Sequence, residues 1–214
     1  MVARIPTPDS LTGTVVRLDQ FTDADADELA RLILDPTLHE QGFVMYDCPT
    51  TPDEALRLVW SRWAVTPGTD PSEQITFAVR LVEDSELGQR GTLVGVTSFG
   101  HIEPANESLH LGWTVWGRPW WGTAVNAEAK YLMLQAAFEA FGYHRVQLQT
   151  DLENVRSQAA IAGLGATREG VLRRHMVRED GTFRDTVIYS ILADEWPAVK
   201  ANLEARLRPA GRTS

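Results

Sequence analysis

Three groups of residues in this sequence could do chemistry. The first is the turn Trp121-Gly122-Thr123-Ala124-Val125-Asn126, mostly small residues placed where a largely apolar helix begins. A helix start leaves several backbone N–H groups without intrahelical partners, and with the macrodipole they attract anions. The dipole adds roughly 0.3–1 kcal/mol per neighbouring negative charge, about 2 in a sheltered site, so a pyrophosphate could be held without a basic cluster. A plain strand-to-helix connection would carry similar residues. The second is His110, set beside Gly112 on a strand that leads into the turn. An unperturbed imidazole, with a pKa near ~6.5, suits a general base, and the glycine leaves room for a substrate; a partly exposed strand histidine would look no different. The third is Asn154 with Ser157, three apart at the start of a short helix. An N-cap and a polar helper in the first turn account for them without any reaction. Phe43 and Tyr46, in a mixed aromatic and polar connection, suit an acceptor wall or a plug beneath a loop.

The elements that must position these groups follow from periodicity. Residues 1–13 read as a loose lead-in, Thr14–Leu18 as a strand, and Asp23–Leu34 as a surface helix closed by Pro36. An irregular connection over 35–52 leads to a helix capped by Thr51, with Leu56, Val59, Trp60 and Trp63 inward. Ile75–Leu81, Thr92–Phe99 and a strand from Leu109 are joined by short turns and should be antiparallel neighbours. On the last of these, period two assigns Leu109, Leu111, Trp113 and Val115 to a core face and His110, Gly112 and Thr114 to an open one. The helix Val125–Phe141 is apolar except for a stripe of Glu128, Gln135 and Glu139; the strand Arg145–Thr150 after it should run parallel to the strand before it. A short helix (155–164), a hairpin (169–177 and 183–192) and a C-terminal helix (194–208) follow. Residues 14–193 make one domain, with that helix packed on it and 209–214 as a tail.

Composition sets the outer limits. Twenty Lys+Arg against 29 Asp+Glu give a net charge of −9 over 214 residues, which repels nucleic-acid phosphates and anionic membrane surfaces and tilts toward cationic acceptors such as amines. Cys48 is the only cysteine, which excludes an intramolecular disulfide and a cysteine-rich zinc site and makes a reduced cytoplasm the default. No run approaches ~18 apolar residues, and the N-terminus carries no apolar core of signal-peptide length.

The order strand, two helices, three antiparallel strands, helix, strand, helix, hairpin resembles the GCN5-related N-acetyltransferase (GNAT) fold over about residues 12–193. That is an α/β (α+β) class with a mixed, mostly antiparallel sheet, a splayed central strand and helices on both faces. The resemblance is closest to the RimJ/RimL-like branch, through Gly112-Trp113, Trp121 to Asn126, Asn154 to Ser157, Leu164-Gly165-Ala166 and Arg168 to Arg173. It implies transfer of acetyl from acetyl-CoA, as co-substrate, to an amine by direct attack, with no metal. The backbone of Trp113, Thr114 and Val115 would hold the pantetheine arm. The amides of Trp121, Gly122, Thr123, Ala124, Val125 and Asn126 would take the pyrophosphate. Asn154 would bond the pantetheine, and Ser157 would lie near the sulfur as general acid. Relatives with a C-terminal helix and exposed tryptophans are often homodimers.

Several positions depart from the family pattern. In the pyrophosphate turn the usual glutamine or arginine, glycine, and glycine or alanine are matched by Trp121, Ala124 and Asn126; a frequent tyrosine is Ile161; a central-strand carboxylate is replaced by His110; and Met176 stands where some relatives carry a glutamate. With His110 the only candidate base, an acceptor of low pKa is expected. An α-amine near pKa ~7.8 is roughly one-seventh neutral at pH 7, a lysine near ~10.4 only about once in 2,500. The expected acceptor is therefore a peptide N-terminus or a small amine. The alternative is an acyl-CoA-binding sensor or a catalytically weak relative.

Overall fold

The chain opens with a hairpin, β1 (Ser10–Thr12) and β2 (Val16–Gln20), then α1 (Asp23–Ile33), α2 (Pro36–Glu40) and α3 (Pro52–Arg62). The computed structural model describes residues 2–7, 10–40, 47–63, 70 and 72–208. Both longer helices start on a capping box: Thr22 with Asp25, and Thr51 with Glu54, the second followed by Pro52 in the first turn. Three strands follow, β3 (Gln74–Leu81), β4 (Leu93–Glu103) and β5 (Ser108–Trp116). Then come α4 (Ala124–Gln135), β6 (Arg145–Asp151), α5 (Val155–Ala162), β7 (Thr167–Val177), β8 (Phe183–Leu192) and α6 (Trp196–Leu207).

All eight strands form one sheet in the order β1-β2-β3-β4-β5-β6-β8-β7. Every neighbouring pair is antiparallel except β5 and β6, which the α4 crossover makes parallel, as expected. The two faces carry separate apolar layers. Phe77, Phe99, Leu111, Val146 and Val187 pack under Met133 of α4 and Leu203 of α6. Ala78, Val96 and Val115 pack under Leu29 and Ile33 of α1 and Val59 of α3.

Four local expectations change. The lead-in is not loose: Ser10–Thr12 pairs with β2, Ala3 is buried, and the Tyr143 hydroxyl donates to the Arg4 carbonyl. Residues 36–40 are helical. Trp60 is 44% exposed, so only Trp63 of the two α3 tryptophans is core. Glu128 is buried rather than part of a polar stripe. Its carboxylate accepts from the backbone N–H groups of Thr14, Val15 and Val16 and from the Thr14 hydroxyl at 2.7–2.9 Å. It thereby ties the β1–β2 turn to α4, a use of charge that periodicity alone does not reveal. After Gln135 the helix continues as a π-helical turn over Ala136–Ala140.

Candidate active site

The cleft exists because β5 and β6 part company. They pair only where Ser108–His110 meets Arg145–Gln147. Beyond His110 the edge of β5 that faces β6 has no ladder partner among the described residues, and a cleft of about 820 Å³ opens between the strands. The cause is a bulge. Val96 pairs with Val115 and Ser98 with Gly112, so Trp113 and Thr114 oppose Thr97 alone, and Trp113 takes φ +46°. The indole N–H of Trp63 donates to the Trp113 carbonyl at 2.7 Å and holds the bulge in place.

The bulge reverses the faces expected from strict alternation. Trp113 and Val115 lie on the α1/α3 side with His110, while Thr114 turns toward α4 with Leu111. The Trp113 ring reaches over Gly100, where a side chain would collide with it. Its centroid is 4.9 Å from that of His110 and 5.4 Å from that of His101.

His110 is therefore not an open-face imidazole. It is 4% exposed, and neither ring nitrogen finds a hydrogen-bond partner among the described residues. Burial, reinforced by the charges of His101, Lys130 and Arg184, pushes its pKa down to about 3. The expected general base of ordinary basicity is lost to desolvation. A group this weakly basic is neutral at pH 7 but takes a proton from an amine poorly.

On the other face of the same strand stands Lys130, which the sequence reading passed over. Its ammonium donates to the hydroxyls of Thr97 at 2.8 Å and Thr114 at 2.6 Å, and burial pushes its pKa down to about 7. A signal was available: Lys130 lies four residues after Asn126 and so shares a helix face with the turn.

At the turn, Thr123 caps α4 and its hydroxyl accepts from Val125 N–H at 3.3 Å. Gly122 has φ +74°, a conformation a side chain would strain. The unusual residues are used structurally. The Trp121 indole donates to the Trp116 carbonyl at 2.8 Å, and the Asn126 side-chain oxygen accepts from the Trp116 indole at 2.9 Å. Two arginines missed in the sequence flank Trp121. The guanidinium carbon of Arg118 lies 4.9 Å from the ring centroid and that of Arg156 lies 3.6 Å from it. Burial and then the charge of Arg118 lower the Arg156 pKa, which means the two cations repel beside the indole.

Asn154 caps α5, its side-chain oxygen accepting from Ser157 N–H at 2.9 Å, so the structural reading of this pair holds. Both also line the cleft, as do Trp113, Thr114, Val115, Gly122, Thr123 and Asn126. Phe43 and Tyr46 fall outside the described residues.

The remaining wall is formed by α2 and α3 on one side and the β7–β8 hairpin on the other. Backbone N–H of Asp47 donates to the Glu179 carboxylate at 2.7 Å and joins the two. In β7, Leu172 pairs with Thr186 and Met176 with Arg184, so Arg173–His175 oppose Asp185 alone. This second bulge, with Arg174 at φ +50°, brings His175 and Met176 to the cleft. His175 Nδ1 lies 3.0 Å from the Thr186 hydroxyl. Buried Asp151 is held by Arg178 at 2.8 Å. Among the described residues no three His, Cys, Asp or Glu side chains gather as a metal cage, and no helix is long and apolar enough to cross a membrane.

A parted parallel pair facing a helix start makes a slot for an extended ligand with an anionic end. A family model described as an acetyltransferase (GNAT) domain matches residues 16–167. Among solved structures the chain is similar to one assigned as an acetyltransferase from T. thermophilus, at 39% identity over 94% of this chain and 98% of that one, TM-score 0.77. It is also similar to a GCN5-related N-acetyltransferase from Brucella melitensis, at 28% identity over 97% and 89%, TM-score 0.82. Its fold is shared by Mycobacterium smegmatis RimJ, solved in complex with CoA-disulfide, at 24% identity over 93% and 92%, TM-score 0.68. No protein of curated function matches the chain. The chain belongs to the GCN5-related N-acetyltransferase family.

Proposed function

We propose that this protein moves an acetyl group from acetyl-CoA to a primary amine, by direct attack of the amine on the thioester. The observation that carries this is the unpaired β5 edge opposite the α4 turn within a single cleft. The backbone of Trp113, Thr114 and Val115 would hold the pantetheine arm, with the Asn154 side chain on the facing helix. The amides of Trp121 to Asn126 would take the pyrophosphate, and a phosphate beside Trp121 would relieve the repulsion between Arg118 and Arg156.

Acetyl-CoA supplies the activated acyl group; this chain's residues orient the amine and manage protons. Ser157 gives the leaving sulfur a proton and regains one from water. The proton released when the C–N bond forms and the C–S bond breaks goes to His175 or to water. His175 replaces His110 here because its ring is exposed at the cleft. With no unpaired carboxylate among the described residues of the acceptor wall, an amine already partly neutral at pH 7 is the fitting acceptor. The RimJ/RimL-like placement rests on the motifs at Asn154 to Ser157 and Arg168 to Arg173, the cytoplasmic setting on the lone Cys48. A homodimer rests on the family resemblance alone.

Calorimetric titration with acetyl-CoA, with NAD as control, followed by thiol release over a panel of primary amines tests the reading. Saturable binding with amine-dependent release supports it. Binding without release from any amine would instead favour an acyl-CoA sensor.

A further inference from the structure

Of the 20 basic residues in this chain only two are lysines, Lys130 and Lys200. Their surroundings are opposite. Lys200, on α6, is partly exposed and pairs with the Glu139 carboxylate at 2.7 Å, which holds its pKa above the usual lysine value. Lys130, on α4, is 5% exposed and lines the cleft. Among the described residues its Nζ meets no carboxylate, only the hydroxyls of Thr97 and Thr114.

Two neutral hydroxyls do not repay the hydration that a full charge loses on burial. The environment therefore favours the uncharged amine. The hydrogen bonds around Nζ also fit that form. The Thr114 hydroxyl donates to the Gly112 carbonyl at 3.2 Å and lies 2.9 Å from the Thr97 hydroxyl, so both threonine oxygens are free to accept from Nζ. An ammonium has three hydrogens to place and finds two acceptors here. A neutral amine has two hydrogens, satisfies both threonines and keeps its lone pair. That lone pair is a nucleophile, and Nζ is bonded to Thr114, one of the residues whose main chain is given to the pantetheine arm.

We propose that Lys130 is itself an acetyl acceptor, modified once by the acetyl-CoA that the same chain binds. The inference rests on the acetyl-transfer reading above. The Nζ lone pair attacks the thioester carbonyl carbon, and the C–N bond forms as the C–S bond breaks. Nitrogen loses its proton to water while the sulfur is protonated as in transfer to an external amine. The products are an acetylated lysine and the free thiol of CoA, and no further reactant is needed. The new amide is neutral and its one N–H can still donate to a threonine hydroxyl, so the modification removes a buried charge that has no counter-ion among the described residues. With a pKa of about 7, Lys130 is about half neutral at pH 7, against roughly one in 2,500 for an ordinary lysine.

The test incubates the purified protein with acetyl-CoA and no added amine, with intact mass measured before and after and the site mapped by tandem mass spectrometry. The expected result is one equivalent of thiol per chain and a mass gain of one acetyl group on Lys130, with occupancy at least about tenfold above that of Lys200. Lys130 found already acetylated in the purified protein is the same result, reached before isolation. The first-order rate should not change when the protein is diluted, as modification within one chain requires, and in urea the preference for Lys130 over Lys200 should vanish. Lys130→Arg should lose the acetyl group and Lys200→Arg should keep it; the wild-type site map decides the matter even if either variant folds poorly. Turnover of external amines with Lys130 unmodified, or equal labelling of the two lysines, overturns the inference and leaves the acetyl-transfer reading intact. Acetyl-CoA binding with transfer neither to Lys130 nor to any added amine overturns that reading, and this inference with it.

Discussion

The cleft has two halves built on different principles. In the cofactor half, the groups proposed to meet the ligand are mostly main-chain ones, the unpaired edge of β5 and the first amides of α4, with the Asn154 and Ser157 side chains beside them. Main-chain donors do not depend on side-chain identity. The turn can therefore carry Trp121, Ala124 and Asn126 and use the side chains of Trp121 and Asn126 to brace Trp116. The acceptor half is lined instead by side chains, His110, His175 and Arg184 among them. Two bulges, at Trp113 and at Arg173–His175, decide which of them face the cleft. The first half tolerates substitution; the second is set by small shifts of register.

The largest effect that would sharpen this contrast belongs to Ser157, the side chain in the cofactor half given the task of protonating the leaving sulfur. Ser157→Ala should lower kcat roughly 100-fold or more, the lower range for general acid–base catalysis, with the KM for acetyl-CoA little changed. Steady-state kinetics decide it. A loss of only a few-fold would mean that water protonates the sulfur and the half works by backbone alone.

His110 gives the next effect, in stability. Its folded pKa of about 3 lies below the unfolded value near 6.5, so the unfolded chain binds the proton more readily. The stabilising contribution is complete above about pH 6.5 and is lost as the pH falls toward 3. Relative to His110→Gln, the wild type should lose about 2 kcal/mol between pH 6.5 and 5, read by denaturant titration. Parallel acid profiles for the two proteins would show that the imidazole is hydrated after all. Lys130 acts at the other end of the scale. Its pKa falls to about 7, so between pH 7 and the unfolded value near 10.5 the unfolded chain again holds more protons. Stability relative to Lys130→Met should rise with pH, by about 1 kcal/mol from pH 7 to 8.

The halves also differed in how much the sequence disclosed. The α4 turn, the parallel step from β5 to β6 and the cap of Asn154 were all readable, because each is a local pattern of small residues, alternation or spacing. The face of each β5 residue was not. A single extra residue at Trp113 turns Thr114 toward α4 and Val115 away from it, and alternation carries no mark of that insertion. Burial was hidden for the same reason: His110 reads as a half-open strand residue until Trp113 folds over it. Arg156 lies between Asn154 and Ser157, and a cation inside a turn that lines the cleft is a usable signal. Arg184 had none, since one arginine in an alternating hairpin strand reads as solvent-facing.

The smallest expected effect bears hardest on the comparison. If main-chain amides carry the phosphates, then removing the exposed partner of the Trp121 stack should matter little. Arg118→Gln deletes one charge near the turn and one cation–π contact, each worth roughly 0.5–1 kcal/mol at an exposed site. Removing Arg118 also frees Arg156 from its repulsion, which offsets part of the loss. Affinity for acetyl-CoA should therefore fall only about two- to fivefold, and by less as salt is raised and the remaining charges are screened. Calorimetry at two salt concentrations measures both. A fall of a hundredfold would mean that arginines, not amides, hold the phosphates, and that the cofactor half depends on particular side chains as much as the acceptor half does.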